Sequence, residues 1–307
     1  MEILVMGAGA LGGYFGGRLA DAGHDVTFVA RGAHLEALKE NGLKIESPAG
    51  DLHLTKVKAT NDPSEFPGAD VVLFLVKNFD VEGAAETLLP SLKPNSVVIT
   101  LQNGVSAPQR LGEVIGHDRV VPGIAFIPAD IKAPGVIRHG AEFQKLVFGK
   151  GSAANAERIE ALASALSAVG VDVTLSDEVQ IMLWTKFVFL SALSAITTLT
   201  RLDVGPLRNN PDTARLFQQA MEETEAVGRV ECPDLPEGTA ESQWQFLQTL
   251  PDTVHASMLD DLNRGKPIEL NYLSGDVSRL GKDHGIATPL HDFVTAALQP
   301  YANGAPT

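Results

Sequence analysis

The first half of the chain alternates short apolar runs with longer amphipathic segments. The runs are rich in β-branched residues and have few polar interruptions, which is typical of strands buried on both faces of a parallel sheet. A helix-length segment, residues 11–23, separates the first two runs and ends at Gly23, so the chain opens with a βαβ unit. The four leading strands are predicted at Glu2–Met6, Asp25–Ala30, Asp70–Val76 and Ser96–Leu101.

Later segments of this half extend the sheet pattern. Residues 43–60 hold two β-like runs on either side of a turn at Pro48–Asp51, which predicts a small hairpin. A helix is predicted at Ala154–Val169, between two later strands. The further strands are predicted at Val120–Ile127, Val136–His139, Lys145–Phe148 and Val171–Leu175.

The pattern changes after Ser176, where every periodic segment has helical spacing and no β-rich run follows. We therefore predict an α/β protein of two domains, with a Rossmann-type doubly wound sheet in residues 1–175 and only helices in residues 176–307. The length of 307 residues agrees, since it is about twice that of an ordinary domain. The second-domain helices are predicted at Asp177–Leu199, Pro211–Val230, Trp244–Leu250, Ser257–Arg264, Glu269–His284 and Pro289–Tyr301.

Composition narrows the classes of function. A formal net charge of −14, without any basic stretch, argues against a nucleic-acid partner. The single cysteine, Cys232, rules out a disulfide framework and a thiolate metal site, and no cluster of ligating side chains suggests a metal. No basic region precedes the first apolar run, and no run approaches the roughly 18 residues of a membrane span. We expect a cytoplasmic protein without a membrane partner. The apolar faces of the helices in residues 176–307 could form either a homodimer interface or the core of that domain.

The segment GAGALG follows the first predicted strand and opens the first helix. In that context Gly7 allows a tight turn, Gly9 lets a pyrophosphate approach the backbone, and Gly12 lets helix and strand pack closely. The turn's N–H groups and the positive end of the helix then face the anion. The predicted cofactor-binding residues of this turn are Gly7, Ala8, Gly9, Ala10, Leu11 and Gly12.

The end of the second strand indicates which dinucleotide binds. An NAD site usually has an acidic residue there that accepts from the ribose 2′-OH, whereas this chain has Arg31. A guanidinium cannot accept that bond, but it can hold a 2′-phosphate with two hydrogen bonds. We therefore predict NADP(H) as the cofactor. The alternative is that Arg31 is only a solvated charge in a loop.

Two further polar residues stand at the carboxyl ends of predicted strands, where ligands collect in open α/β sheets. Lys77 ends one strand, and Asn103 ends another within the turn Gln102-Asn103-Gly104. An Asn-Gly pair is also ordinary turn chemistry. These positions alone leave a binding role and a structural role equally open.

Lys186 is the one cation in the otherwise apolar and small run Trp184–Ala195. A buried ammonium is costly unless it is paired or loses its proton, although most lysines in such runs reach solvent from a helix end. Glu269 offers a partner, because it falls in the opening turn of the helix predicted after the break Gly265-Lys266-Pro267. A carboxylate that meets Lys186 in a cleft between the domains would explain why the cation is tolerated.

The order and spacing of these residues resembles the ketopantoate reductase (2-dehydropantoate 2-reductase) family over almost the whole chain. The resemblance rests on GAGALGG at the start, Lys77, Gln102-Asn103-Gly104, Trp184-x-Lys186, and Ser257-Met258-Leu259-x-Asp261 followed by Glu269. It implies NADPH-dependent reduction of a 2-oxo acid, 2-dehydropantoate or a relative of it, as in pantothenate biosynthesis.

The resemblance also implies roles for individual residues. Lys186 matches the general acid that protonates the ketone oxygen, and Glu269 matches a residue that helps fix cofactor and substrate. Ser257 matches the residue that holds the substrate carboxylate. Asn103 matches one that contacts both nicotinamide and substrate, and Lys77 one that assists orientation beside it. A developing alkoxide next to an ammonium agrees with this chemistry.

Three positions depart from the family pattern. Asparagines are common there, four and eight residues after the lysine and just before the next glycine, whereas this chain has Leu190, Ser194 and Val204. Loss of hydrogen-bonding amides weakens binding of a hydroxylated substrate. Either the substrate is held differently in this chain, or it is a bulkier or less polar 2-oxo acid than ketopantoate.

Two other functions remain open from the sequence. One is an enzyme that reduces an imine, in a reductive-amination or opine-type reaction. The other is a sensor that binds NADPH without turning it over, against which Lys186, Ser257 and Glu269 argue, because a sensor needs only the glycine turn and Arg31.

Overall fold

The computed structural model describes residues 1–306. The chain divides into two compact units, which we call the sheet unit (Met1–Gln102 with Ala107–Val179) and the helical unit (Asn103–Ser106 with Gln180–Thr307). The short segment Asn103–Ser106 follows a strand of the sheet unit in sequence, yet it packs with the helical unit.

The strands all lie in the sheet unit and form two sheets. In chain order they are β1 (Glu2–Met6), β2 (Asp25–Val29), β3 (Leu43–Glu46), β4 (Leu52–Leu54), β5 (Lys58–Thr60), β6 (Ala69–Phe74), β7 (Leu92–Thr100), β8 (Val120–Phe126), β9 (Ala129–Ala133), β10 (Val136–His139), β11 (Lys145–Gly149) and β12 (Asp172–Ser176). The main sheet has the order β12-β11-β8-β7-β6-β1-β2-β5, and the smaller sheet has the order β4-β3-β10-β9.

The chain order of the main sheet reverses at β1. From β1 the chain proceeds outward through β2 to β5 on one side, then returns to build β6, β7 and β8 on the other. Within the main sheet all neighbouring strands pair in parallel, except β8 and β11, which pair antiparallel. Such a reversal leaves a crevice at the carboxyl ends of the strands, where ligands bind in open α/β sheets. The glycine turn after β1 therefore lies at this crevice.

Helices cover both faces of the main sheet. Ile3 and Val5 pack in one apolar cluster and Leu4 in another, so β1 is buried on both sides, as its uninterrupted apolar run predicts. The helices of the sheet unit are α1 (Ala10–Asp21), α2 (Gly32–Asn41), α3 (Val81–Leu88), α4 (Ala107–Ile115) and α5 (Ala156–Ala168).

The helical unit contains no strand within residues 177–306. Its helices are α6 (Val179–Thr200), α7 (Val204–Arg208), α8 (Pro211–Glu231), α9 (Thr239–Gln248), α10 (Ser257–Asn263), α11 (Ser274–His284) and α12 (Pro289–Leu298). Their buried apolar side chains form one core, with α6 and α8 contributing much of it. The predicted fold class, a doubly wound sheet with an all-helical second part, is confirmed.

Most predicted strands are observed within one or two residues of their predicted bounds. The predicted hairpin is also confirmed, since β3 and β4 pair antiparallel around the turn. Strand β7 begins four residues earlier than predicted, at Leu92, where the Lys93 N–H donates to the Ser96 hydroxyl and the pairing with β6 is irregular. Strand β9 was not predicted, because its sequence, ADIKA, lacks an apolar run.

Two predicted helices have different bounds. The helix predicted at Trp244–Leu250 is α9, which begins at Thr239, because the distant Glu225 carboxylate accepts from the N–H groups of Gly238 and Ala240 and so caps a polar first turn. The helix predicted at Glu269–His284 is instead a single 3₁₀ turn, Leu270–Tyr272, followed by α11. Leu273, with φ −114° and ψ −95°, lies outside the helical region and separates them.

Helix α6 is long and apolar enough to cross a membrane by length and composition, with a mean hydropathy of 1.6. The expectation that no apolar run approaches the length of a membrane span was therefore wrong. However, 61% of the apolar window is buried within the protein, and Trp184, Phe187 and Val188 belong to the core of the helical unit. These features are typical of the central helix of a folded domain.

Candidate active site

The glycine turn has the geometry that its sequence predicts. Gly7 has a φ of +100°, and a Cβ there would lie 2.9 Å from the backbone of Leu75 and Val76, so only glycine fits. A Cβ at Gly12 would lie 2.2 Å from the Gly7 carbonyl oxygen and 2.8 Å from Val5, which confirms close packing of α1 on β1.

Gly9 differs from the other two glycines. It is the N-cap of α1, and a Cβ there would meet nothing within 4 Å. Protein packing therefore does not require a glycine at this position, which leaves space beside the backbone. The first-turn N–H groups of Ala10, Leu11 and Gly12 have no acceptor within the helix, so this space borders hydrogen-bond donors at the positive end of α1. A pyrophosphate fits these donors and this opening.

Arg31 lies at the carboxyl end of β2, as predicted, and is the N-cap of α2. Its side chain is 69% exposed, and one guanidinium nitrogen lies 3.6 Å from the Asp80 carboxylate. An ion pair this long and exposed is weak. The guanidinium can therefore turn toward an anion at the N-terminus of α2 at little cost.

Gln102 holds the ends of two neighbouring strands together, a role that the sequence motif did not reveal. Its amide donates to the carbonyl oxygens of Phe74 (2.9 Å) and Val76 (3.1 Å), and its own carbonyl oxygen accepts from the Thr100 hydroxyl. Lys77 directly follows Val76, is exposed and is the N-cap of a one-turn 3₁₀ helix, Asn78–Asp80. The Gln102 side chain thus positions the backbone from which Lys77 projects.

The structure brings Lys186 and Asn103 together although 83 residues separate them. The Lys186 ammonium donates to the Asn103 side-chain carbonyl oxygen at 3.1 Å. Because an ammonium can only donate, this bond turns the amide NH₂ of Asn103 away from the lysine. Lys186 keeps some exposed surface, yet burial lowers the pKa of its ammonium to about 8. The lysine therefore does not extend into solvent from a helix end, the alternative that the sequence left open.

Glu269 is buried, with 6% of its surface exposed, and immediately precedes the 3₁₀ turn Leu270–Tyr272. Its backbone carbonyl accepts from the Tyr272 N–H. The carbonyl oxygen of Tyr272 in turn lies 2.8 Å from where a Cβ of Gly104 would be, so the Asn103-Gly104 turn packs closely on this 3₁₀ turn. Gly104, with φ +89°, permits that approach. The predicted pairing of the Glu269 carboxylate with Lys186 stays a prediction.

Ser257 and the three positions that depart from the family pattern differ in how much of their surface is exposed. Ser257 is exposed at the first position of α10. Among the three positions that depart from the family pattern, Ser194 and Val204 are 1% and 0% exposed, whereas Leu190 is only partly buried. Leu190 follows Lys186 by one turn on the same stripe of α6. It is therefore the departure with the most surface to offer a ligand.

A histidine and two aspartates near Ser257 were missed in the sequence. His255 lies two residues before Ser257, and its ring nitrogens contact the carboxylates of Asp203 (2.8 Å) and Asp260 (3.3 Å). The closeness of His255 to the acidic first turn of α10 is a signal that the sequence contains. The contact with Asp203, 52 residues away, is visible only in the structure. Among the described residues, no group of three or more histidine, cysteine or acidic side chains could hold a metal ion.

The sequence matches known family models in both units. A model described as ketopantoate reductase PanE/ApbA matches residues 3–153, and one described as the C-terminal part of the same reductase matches residues 178–302. Together with the fold, these matches place the protein among the oxidoreductases that have a Rossmann-like unit followed by a helical one. Within that class, the chain belongs to the ketopantoate reductase family.

Individual relatives align along nearly the full chain. A 2-dehydropantoate 2-reductase from Halobacterium salinarum is 31% identical over 94% of this chain and 95% of its own length. An uncharacterized oxidoreductase, YkpB, from Bacillus subtilis is 30% identical over 98% of this chain and 99% of its own length. The crystal structure of a PanE/ApbA family ketopantoate reductase from Ralstonia eutropha superposes with a TM-score of 0.89 at 34% identity, covering 98% of both chains.

Proposed function

We propose that this protein is an NADPH-dependent reductase that converts a 2-oxo acid to the 2-hydroxy acid, with Lys186 as the general acid. The observation that carries the proposal is the hydrogen bond from the Lys186 ammonium to Asn103, together with the burial that lowers the pKa of that ammonium to about 8. Family membership supports the reaction class.

The cofactor assignment rests on residues of the sheet unit. The opening at Gly9 and the N–H groups of α1 would hold the pyrophosphate, and Arg31 would hold the 2′-phosphate that distinguishes NADPH from NADH. When bound, NADPH supplies the hydride that reduces the carbonyl carbon. Lys77 and Asn103 would orient the nicotinamide and the substrate.

Lys186 would stabilise and then protonate the carbonyl oxygen. Negative charge develops on this oxygen during reduction, so a nearby ammonium lowers the barrier and its proton completes the hydroxyl group. A pKa of about 8 suits this step, because the group is charged near neutral pH yet gives up its proton more readily than an ordinary lysine. Asn103 holds the ammonium in place, and we assign the substrate carboxylate to Ser257 and a supporting role to Glu269.

The substrate is expected to be less polar than ketopantoate. We expect purified protein to oxidise NADPH faster with branched or aromatic 2-oxo acids than with ketopantoate, because Leu190 offers an apolar surface where related enzymes commonly have an amide. The measurement is kcat/KM for each acid from NADPH absorbance. Leu190→Asn should shift the ratio toward ketopantoate by about tenfold, the scale of one side-chain contact in a pocket.

The same assay separates the alternatives. Turnover only after an amine is added to the 2-oxo acid would favour imine reduction. Tight NADPH binding without oxidation by any acid would favour a sensor. Either result would refute the proposed reaction, whereas an unchanged acid preference in Leu190→Asn would refute only the assignment of Leu190.

Arg31 provides the test of cofactor choice. Arg31→Ala should weaken NADPH binding by about tenfold while NADH binding stays unchanged, because an exposed guanidinium contributes a screened, charge-assisted contact to the 2′-phosphate alone. Titration of each cofactor by nucleotide fluorescence gives both dissociation constants. Arg215→Ala, in the helical unit, is the control and should alter neither. An equal loss for both cofactors would show that Arg31 does not read the 2′-phosphate.

A further inference from the structure

His255 bridges two acidic residues at the entrance to α10. Its Nδ1 lies 2.8 Å from the carboxylate of Asp203, the N-cap of α7, and its Nε2 lies 3.3 Å from that of Asp260, in the first turn of α10. A neutral imidazole has one N–H and can donate to only one of these acceptors, whereas the imidazolium donates to both. The arrangement of atoms therefore suits the cationic form.

The two ends of the His255–Asp260 contact flank Ser257, the residue to which the substrate carboxylate is assigned. Ser257 is the first residue of α10 and lies between His255 and Asp260, the two residues joined by this contact. The preceding segment is also attached to α7, since the N–H groups of Val204 and Gly205 donate to the carbonyl oxygens of Val254 and Asp252. The contact with Asp203 thus ties the start of α10, where Ser257 lies, to a neighbouring helix.

We propose that His255 is a positioning residue, whose cationic form holds Ser257 in place to receive the carboxylate of the 2-oxo acid. The inference rests on the proposed function, because it takes the substrate role of Ser257 from there. His255 need not touch the substrate. Its effect should therefore appear in substrate binding and leave both cofactor binding and proton transfer from Lys186 unchanged.

The charges around His255 set the direction of the pH dependence. Burial opposes the imidazolium, but the hydrogen bonds and negative charges of Asp260 and Asp203 outweigh it and raise the pKa of His255 above its ordinary value. Asp260 approaches from α10 and Asp203 from the start of α7, and both favour the cation. The bridge is therefore complete at low pH and loses one bond as the pH rises through this raised pKa.

The experiment measures KM and kcat for the best 2-oxo acid across pH in the full-length wild type and in His255→Gln. We expect the wild-type KM to rise as pH increases. At low pH, the KM of His255→Gln should be about fivefold higher than that of the wild type, because one ordinary hydrogen bond is lost. The KM of His255→Gln should not rise further as pH increases. The NADPH dissociation constant and the pH dependence of kcat should not change. Asp203→Asn keeps the histidine and an acceptor oxygen but removes one of the two negative charges that favour the imidazolium, so it should raise KM in the same direction.

Two controls make the result specific. His284→Gln makes the same replacement in another histidine–carboxylate pair, with Glu231, and should leave KM unchanged. Circular dichroism checks that each variant is folded, and if His255→Gln is not, Asp203→Asn carries the test. A wild-type KM independent of pH, or unchanged KM in both variants, overturns the inference and leaves the proposed function standing. Absence of any turnover in the wild type overturns both.

Discussion

Lys186→Met is expected to reduce kcat by about 10³-fold while NADPH binding stays within about twofold of the wild type, because the variant loses both the proton donor and the charge that stabilises the developing alkoxide. Methionine has a similar length and no charge, so it removes a costly buried ammonium and should preserve or raise the melting temperature. Stopped-flow measurement of hydride transfer tests the loss of rate, and NADPH fluorescence tests the unchanged cofactor binding.

The pH dependence of kcat gives a second measure of the same assignment. The general acid must carry its proton, so the wild-type kcat for reduction should be constant at lower pH and fall as pH rises through the lowered pKa of Lys186, which is about 8 in the free protein. The residual activity of Lys186→Met should lack this fall. Lys282→Met, at an exposed position paired with Asp292, is the control and should behave as the wild type. A Lys186→Met enzyme with kcat within tenfold of wild type would show that another group supplies the proton.

Gly9→Ala is expected to weaken NADPH binding by about 100-fold, because the added methyl group would fill the space where the pyrophosphate meets the backbone and would displace charge-assisted hydrogen bonds. The protein itself should tolerate the change. The φ of Gly9 is −69° and its Cβ would contact nothing, so the variant should fold, with only a small loss of stability because alanine is less favourable than glycine at the N-cap of α1. Isothermal titration with NADPH and a thermal melt provide the two measurements.

Gly83→Ala is the matched control for this variant. Gly83 lies in α3, a Cβ there would also meet nothing within 4 Å, and alanine favours the helix. It should therefore keep wild-type NADPH affinity with equal or higher stability. If Gly9→Ala bound NADPH as tightly as Gly83→Ala, the glycine turn would not be the pyrophosphate site.

Local interactions explain why the sheet unit could be predicted so closely. Strand β1 and the glycine turn depend on residues adjacent in sequence: an apolar run buried on both faces, then glycines at fixed spacing for the turn and the helix contact. The start of α9 could not be predicted in this way. Its polar first turn is stabilised by Glu225, a residue from α8, so apolar periodicity alone placed the helix start too late.

For the site, the sequence by itself determined which residue types are present: a lysine in an apolar helix, an Asn-Gly turn after a strand, and an arginine after the second strand. It did so because backbone conformation, helical periodicity and strand ends are short-range properties. Only the tertiary structure decided that Asn103 leaves the sheet unit to accept from Lys186, that burial lowers the pKa of that lysine, and that His255 bridges Asp203 and Asp260. Hydrogen bonds and desolvation act between atoms that folding brings together, so their partners cannot be deduced from sequence spacing.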